Sequence, residues 1–370
     1  MNQRLRAGWV AIVSAWVLSG CGSAPPQEPR IDPDVVRHQI RALIPASVPN
    51  RDGWAVDIFA AFETLEIRPT PDNLCAVLAV TQQESGFQVD PVVPDLATKA
   101  RREIDTRAAK YHVPDTLVTL ALKADSADGR SYAVRLKQAR TERELSVIFE
   151  DFIGRVPLGK QLFADLNPVR TGGPMQVSIA FAEDHANSHH YPYPLTDSVR
   201  HEVFTRRGGL YFGTAHLLGY PASYEAMLYR FADFNAGHYA SRNAAFQKAV
   251  STLTKSKLAL DGDLLLQGGF ATGPSQTELA VRKLATQIGL TEREIRRDLE
   301  REKEEHFEKT DVYEKVFALA DARSSTKAPR AVVPRIRLQS VKITRNLTTE
   351  WFANRVDARY RQCLVRAGKE

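Results

Sequence analysis

The chain has few cysteines and no long apolar segment after its first twenty residues. Three cysteines in 370 residues exclude a dense disulfide framework. No phosphate-binding loop, dinucleotide fingerprint or Ser-His-Asp pattern stands out. Basic residues do not gather on one face with interleaved aromatics, so we expect no nucleic acid partner. The net charge of +6 is a mild basic bias that is compatible with an anionic polymer.

Residues 1–20 have the pattern of a secretory signal peptide. Two arginines precede an apolar run over 7–18, which is too short to span a bilayer. The string LSGC at 18–21 looks like a lipobox, and it predicts cleavage before Cys21 and lipid attachment to that cysteine. A plain signal peptide with an unrelated cysteine is the alternative. Gly22 replaces the aspartate that tends to mark inner-membrane retention, so the expected location is the periplasmic face of the outer membrane.

Residues 21–33 predict a stiff, solvated tether. They are rich in proline and poor in apolar residues. In a polyproline conformation, at about 3.1 Å per residue, they would reach roughly 35–40 Å. Such a tether would lift a folded body away from the membrane that anchors it.

The two other cysteines, Cys75 and Cys363, leave two interpretations open. They pair if the chain folds in an oxidising compartment, or they stay as two buried free thiols. A disulfide between them would tie the extreme C-terminus to the first core helix.

The periodicity of apolar residues is mostly helical and predicts a mainly α protein. Residues 73–84 are nearly all apolar and predict a buried helix, with Pro71 and Asp72 at its start. Thr291 and Glu294 form a capping box at the start of a charged helix. Further helices are expected at 34–43, 53–65, 98–163, 177–186, 199–206, 210–218, 224–234 (with Ser223 as its cap), 276–288 and 348–367, and an edge strand at 332–343.

Three short strings stand out, in this order: ESGF at 84–87, GPMQ at 173–176 and FNAG at 234–237. The first is expected to end the buried helix, the second to open a helix and the third to end another. Together they resemble the soluble lytic transglycosylases, lysozyme-like enzymes that cut the glycan strands of peptidoglycan. That family carries E-S-x-F, then G-[LM]-M-Q, then A-Y-N-A-G. The chain is also similar to a family of proteobacterial lipoproteins of unknown function.

Glu84 has the properties of a general acid before any resemblance is considered. It lies seven residues after Val77 and four after Val80, so it continues an apolar helical face. It also lies at a helix C-terminus, where the dipole is negative. Both conditions disfavour a carboxylate, so we expect a raised pKa and a proton that can be donated. An exposed glutamate at a frayed helix end is the structural alternative.

The resemblance implies a role for each matching residue. Glu84 would be the single acid/base, cleaving between N-acetylmuramic acid and N-acetylglucosamine and leaving a 1,6-anhydro ring, with no metal or cofactor. Ser85 would hold Glu84 or an acetamido group. Gln176 and the backbone near Met175 would line the sugar groove, and Asn235 would contact the reacting region.

Two departures from the family pattern are present. Phe234 stands where the family has a tyrosine, whose hydroxyl often touches the catalytic acid. Tyr191, Tyr193 or Tyr239 could supply that hydroxyl instead. Ninety-two residues separate Glu84 from Gln176, so most of 94–165 is expected to be an insertion that walls the groove, caps it or binds a protein partner.

Other polar residues give weaker signals. His185, His189 and His190 lie close together, but no third ligand pattern accompanies the i,i+4 pair, so a polar loop beside the groove is favoured over a metal site. Asp233 could be the second carboxylate that hydrolytic glycosidases need. A solvent-facing position on its helix is the favoured alternative.

These observations predict a lysozyme-like domain over 34–255 with the insertion at about 94–165, followed by a helical extension over 256–370. The expected function is that of an outer-membrane-anchored lytic transglycosylase acting on peptidoglycan. A non-catalytic peptidoglycan-binding lipoprotein and a hydrolytic muramidase are the alternatives.

Overall fold

The computed structural model describes residues 32–155, 166–195, 197–266, 273–337 and 347–369. The predicted signal peptide, Cys21 and nearly all of the tether lie outside these residues. Helices dominate the described part, and its only sheet is a pair of two-residue strands, so the prediction of a mainly α protein is confirmed. None of the helices in these ranges is both long and apolar enough to cross a membrane.

The elements are labelled in chain order. The helices are α1 Pro33–Leu43, α2 Arg51–Thr64, α3 Pro71–Glu84, α4 Leu96–Lys110, α5 Asp115–Lys123, α6 Tyr132–Gln138, α7 Glu142–Gly154, α8 Ile179–Ser188, α9 Val199–Val203, α10 Arg206–Leu218, α11 Met227–Ala236, α12 Ala240–Thr254, α13 Gln276–Arg282, α14 Ala285–Ile288, α15 Glu292–Leu299, α16 Asp311–Ala322 and α17 Thr349–Arg366. The strands are β1 Thr171–Gly172 and β2 Val177–Ser178, and a 3-10 helix covers Glu305–Lys309.

The first core is built around α3, as the apolar run predicts. Thr70 caps the helix by accepting a hydrogen bond from the Asn73 backbone N–H at 3.2 Å, and Pro71 occupies its first turn. All eight residues from 74 to 81 are buried, because α1, α2, α10, α11 and α17 surround the helix. At about 1.5–3 kcal/mol for each large apolar side chain, this burial is a main source of stability.

The last helix, α17, closes this first core. It packs on α3 and α11 although more than 260 residues separate it from α3. Cys75 of α3 and Cys363 of α17 form a disulfide, with their Cα atoms 5.5 Å apart. The Tyr360 hydroxyl also donates to an Asp72 carboxylate oxygen at 3.0 Å. Residues after 256 therefore divide between the first core and a second one.

The second core lies between α12 and the elements from α13 to α16. Arg242, on α12, is fully buried. Its guanidinium donates to the backbone oxygens of Glu302 and Glu304 at 2.6 and 3.0 Å. Its guanidinium also lies over the rings of Tyr239 and Phe307, at 4.1 and 5.1 Å. These contacts satisfy a charge whose burial would otherwise be costly.

The third core joins the helices between the ESGF and GPMQ strings to the β1–β2 hairpin. Leu96, Leu136 and Leu145, from α4, α6 and α7, share this cluster with Val177 and Phe212. The long helical stretch expected over 98–163 is instead four short helices, α4 to α7, up to residue 155. Residues 156–165 lie outside the described part.

Several local predictions were wrong, each because tertiary contacts outweigh a local signal. The GPMQ string does not open a helix, since α8 begins only at Ile179. Gly208-Gly209 does not separate two helices but lies in the first turn of α10. Ser223 does not cap α11, which begins after Ala226. Of the expected edge strand, residues 332–337 contribute one isolated bridge, from Arg337 to Thr348, and 338–343 lie outside the described part.

The disulfide should stabilise the protein measurably. Cys363→Ser removes a cross-link between residues 288 positions apart, so we expect the free energy of unfolding to fall by about 3 kcal/mol. Denaturant titration followed by circular dichroism measures the change. Reduced wild-type protein is the control, and it should match the variant. Two freely alkylated thiols in unreduced wild-type protein would contradict the pairing.

Candidate functional site

Glu84 lies where α3 emerges from the first core. The residues from 74 to 81 are buried, and Gln82, Gln83 and Glu84 are half-buried as the helix ends. Glu84 is the last residue of α3, at the negative end of the helix dipole. The alternative of a fully exposed glutamate on a frayed end does not fit this position.

The residues after Glu84 hold the helix end in place. Ser85 is buried, and its hydroxyl donates to the Thr81 backbone oxygen at 3.1 Å. Gly86 has a φ of +59°, so it ends the helix as the sequence predicted. Phe87 is buried in the first core with its ring edge-on to Trp54 at 5.4 Å. In this state the Ser85 hydroxyl supports the helix end rather than Glu84.

The second motif forms the turn of a hairpin. Gly173 to Gln176 connect β1 to β2, and the Gln176 backbone N–H donates to the Gly173 oxygen at 3.0 Å. The side-chain oxygen of Gln176 accepts from the Thr171 hydroxyl at 3.2 Å, so the half-buried amide is held across the turn. Met175 is completely buried in the first core, backbone included, so it does not line a groove as the resemblance implied.

The hairpin turn rests on a glycine face of α10. A Cβ atom at Gly209 would collide with the Pro174 ring, and one at Gly213 would collide with the Met175 side chain. Gly173 has a φ of +71°, and a Cβ there would collide with the Val203 backbone oxygen. Glycines four residues apart on α10 thus let the turn approach closely. The spacing of Gly209 and Gly213 in the sequence is the signal that could have indicated this close approach.

The third motif lies at the end of α11 and contacts the same helix. Phe234 is half-buried against the first core, and its ring lies 5.1 Å from His216 of α10. Asn235 is exposed, and its side-chain oxygen accepts from the Thr349 hydroxyl at 3.0 Å. Phe87 and Met175 therefore belong to the first core and Phe234 packs against it, so each motif contributes one residue there.

The sequence suggested that Asp233 faces solvent, but the residue is fully buried. It accepts from the Tyr239 and Ser241 backbone N–H groups at 3.1 and 2.7 Å and from the hydroxyls of Tyr220 and Tyr224. Burial raises the pKa of this carboxyl, against the effect of these hydrogen bonds. With its acceptor positions occupied, Asp233 organises the start of α12 and is not available to activate water.

The tyrosines proposed to replace the family hydroxyl are engaged elsewhere. The Tyr191 hydroxyl donates to Glu202 at 2.7 Å, and the Tyr193 ring lies under the Arg207 guanidinium at 4.7 Å. Tyr239 is buried against Arg242. None of these described contacts involves Glu84.

The histidines do not form a metal centre. Within the described ranges, no group of three or more His, Cys, Asp or Glu side chains is arranged to hold a metal ion. His185 and His189 stack face to face instead, with ring centroids 4.1 Å apart and planes 4° from parallel. Burial lowers the pKa of His185 to about 4 and that of His216 to about 3, so both rings are neutral near pH 7.

Comparison with known proteins places the chain in a family. The profile of a family described as "Protein of unknown function (DUF1615)" matches residues 47–366. The chain belongs to this family. The DUF1615 match includes all three motifs and the region between Glu84 and Gln176. An Escherichia coli (strain K12) protein named "Uncharacterized protein YaiW" is 53% identical over 360 residues, covering 96% of this chain and 97% of that protein. No solved structure matches the chain significantly.

The hairpin contact predicts different costs for two similar substitutions. Gly173 and Gly86 both have positive φ, but only a Cβ at Gly173 meets other atoms within 4 Å. Gly86→Ala should cost about 1–2 kcal/mol of unfolding free energy from backbone strain alone. Gly173→Ala should cost roughly 3–5 kcal/mol, because the turn must also move away from Val203. Denaturant midpoints measure both, and equal losses would contradict the close approach.

Proposed function

We propose that this DUF1615 protein is a lysozyme-like lytic transglycosylase of peptidoglycan. The observation that carries the proposal is the convergence of three motifs on one core. Glu84 ends the helix at the centre of that core, the Gln176 turn is fixed on α10, and Phe234 contacts the same helix. This shared core supports the resemblance that the three strings suggested in the sequence.

Glu84 is the single acid and base in the proposed reaction. Its protonated carboxyl donates to the glycosidic oxygen as the bond from that oxygen to C1 of N-acetylmuramic acid breaks. The resulting carboxylate then accepts the proton of the C6 hydroxyl, whose oxygen bonds to C1. The products are a 1,6-anhydromuramic end and a free N-acetylglucosamine hydroxyl. Water is not consumed, and no cofactor is needed.

The buried position of Asp233, the carboxylate directly before the third motif, argues against hydrolysis. A hydrolytic muramidase needs a second carboxylate for a nucleophile or for water activation. Asp233 is buried and accepts hydrogen bonds from two backbone N–H groups and two tyrosines. An intramolecular attack by the substrate hydroxyl avoids that requirement, so it fits the single glutamate better.

One observation supports a second candidate function. Phe234 has no hydroxyl to touch Glu84, and the described contacts of Tyr191, Tyr193 and Tyr239 do not supply one. A protein that keeps the fold and has lost the reaction would bind glycan strands without cutting them.

Glycan ends distinguish these functions. The mature protein, solubilised in detergent, is incubated with purified peptidoglycan, and the fragments are analysed by mass spectrometry. We expect 1,6-anhydro ends from wild-type protein and at least a hundredfold slower release from Glu84→Gln, because general acid–base catalysis contributes roughly 10²–10⁴-fold.

Asn354→Ala is the matched control, since Asn354 is an exposed residue of α17 whose amide bonds only the Glu350 backbone oxygen. It should leave the rate unchanged. Reducing ends would indicate a muramidase, and bound but intact strands would indicate the binding protein. Full cleavage by Glu84→Gln would show that another residue is the acid.

The same proposal places the protein on the periplasmic face of the outer membrane, held by lipid on Cys21. The LSGC string at 18–21 carries this part. Labelled palmitate should enter wild-type protein, which should sediment with outer membranes. Cys21→Ser should take up no label. Gel electrophoresis separates the variant chains that still carry residues 1–20, and the remaining variant protein should not sediment with membranes. Labelled Cys21→Ser protein would contradict the anchor.

A further inference from the structure

Three arginines and a tryptophan lie on one flank of α17. Trp351, Arg355, Arg359 and Arg366 follow one another at intervals of four, four and seven residues, so they share one side of the helix. Trp351, Arg355 and Arg366 are exposed, and Arg359 is half-buried. The basic flank, as these four residues are called below, lies beside the face that α17 packs into the first core.

The arginines of the basic flank have no carboxylate partner within the described part of the chain. The ion pair described for α17 joins Arg361 to Asp357 at 2.8 Å, on another side of the helix. The Arg355 guanidinium instead lies 5.2 Å from the centroid of the Trp351 ring. Burial and the neighbouring Arg355 lower the pKa of Arg359, whose Nε atom has no hydrogen-bond partner among the described residues. The positive charge of this flank is therefore not neutralised by the protein itself.

The spacing of these charges favours an extended anionic surface over a single small anion. Arg355 and Arg366 are 11 residues apart, which is about 16 Å along the helix axis. One phosphate group can contact one or two guanidinium groups, whereas a layer of lipid head groups offers a phosphate to each of them. The exposed Trp351 ring adds a side chain of the type that is enriched at the membrane–water interface. An anionic phospholipid surface fits both the charges and the ring.

The basic flank also lies near the part of the chain that the predicted anchor would hold. The Arg366 Nε atom donates to the backbone oxygen of Leu43, the last residue of α1, at 3.3 Å. Since α1 has 11 residues, about 16 Å separate this contact from the start of the helix, where the tether ends. The tether predicted at 21–33 would reach roughly 35–40 Å. A membrane that holds Cys21 is therefore within reach of the flank.

We propose that the basic flank docks on anionic phospholipid head groups of the membrane that carries the anchor. This inference rests on the lipid on Cys21 in the proposed function for the choice of surface, but it does not require that glycan be cut. Docking would fix which side of the first core faces the membrane, because α17 is packed on α3 and α11. The contact is electrostatic, so it weakens when salt screens the charges.

Trp351 reports this docking without an added label. Of the four tryptophans, Trp9 and Trp16 belong to the predicted signal peptide, and Trp54 is buried in the first core. Mature protein is mixed with vesicles of phosphatidylcholine, or of phosphatidylcholine and phosphatidylglycerol in equal amounts, with a nitroxide on some head groups. We expect strong quenching of tryptophan fluorescence only by the phosphatidylglycerol vesicles. Salt at about 1 M should relieve it, because the Debye length falls to about 3 Å. Trp351→Phe should abolish the quenching.

Charge substitutions show whether the arginines carry the docking. The paired variant Arg355→Gln/Arg359→Gln should lower the ratio of docked to undocked protein about thirtyfold, since each basic residue near an anionic surface contributes about fivefold. Arg355→Lys/Arg359→Lys keeps the charge and should keep the docking. Arg361→Gln is the matched control, because it removes the same charge from an exposed position on another side of α17. It should dock nearly as wild-type protein does.

The outcomes separate this inference from the anchor and from the enzyme. Lipidated protein should sediment with both kinds of vesicle, whereas quenching reports the flank and would occur with phosphatidylglycerol even if Cys21 carried no lipid. Equal quenching by both kinds of vesicle, unchanged docking of the paired glutamine variant, or an equal loss in Arg361→Gln would overturn the flank. Absence of quenching together with binding to peptidoglycan that the paired variant loses would also overturn it. Release of anhydro ends by wild-type protein would still support the enzyme in each of those cases.

Discussion

The candidate site depends on the close approach of a hairpin turn to a helix. Gly209 and Gly213 remove the side chains that would keep the Pro174-Met175 turn away from α10. Met175 can then enter the first core, beside the helix that ends in Glu84. Any side chain at those glycines would push the turn outward and change where Gln176 lies. The position of the second motif relative to the first thus depends on α10 having glycine, with no side chain, at these two positions.

The hairpin also connects two cores. Met175 belongs to the first core, and Val177, two residues later, belongs to the third. The third core contains the helices of the long region between Glu84 and Gln176. A shift in those helices would therefore reach the turn through Val177. This connection gives the region between Glu84 and Gln176 a physical route to the candidate site even though its own residues lie outside the motifs.

Local signals predicted the parts of the structure that are decided locally. The buried helix, its start at Pro71, its end at Gly86 and the capping box at Thr291 all follow from short-range preferences and are confirmed. The prediction that a helix opens at 173–176 was wrong. The residues form a hairpin turn because α10, which lies about thirty residues further along the chain, holds the turn in place. The prediction that Asp233 faces solvent was wrong because of contacts outside its own helix. Two of its hydrogen-bond donors are the hydroxyls of Tyr220 and Tyr224. The sequence also could not show that His216 and His238 meet Phe181, because the three residues lie on separate elements.

The pairing of α17 with α3 has a consequence for the order of assembly. During synthesis from the N-terminus, Glu84 leaves the ribosome long before Thr349 and Cys363 do. Until then α17 does not cover α3, and Asn235 lacks the hydrogen bond that the Thr349 hydroxyl donates to its side-chain oxygen. The first core is therefore completed only by the last helix to be synthesised. A chain that still lacks α17 can form neither the disulfide nor the finished candidate site.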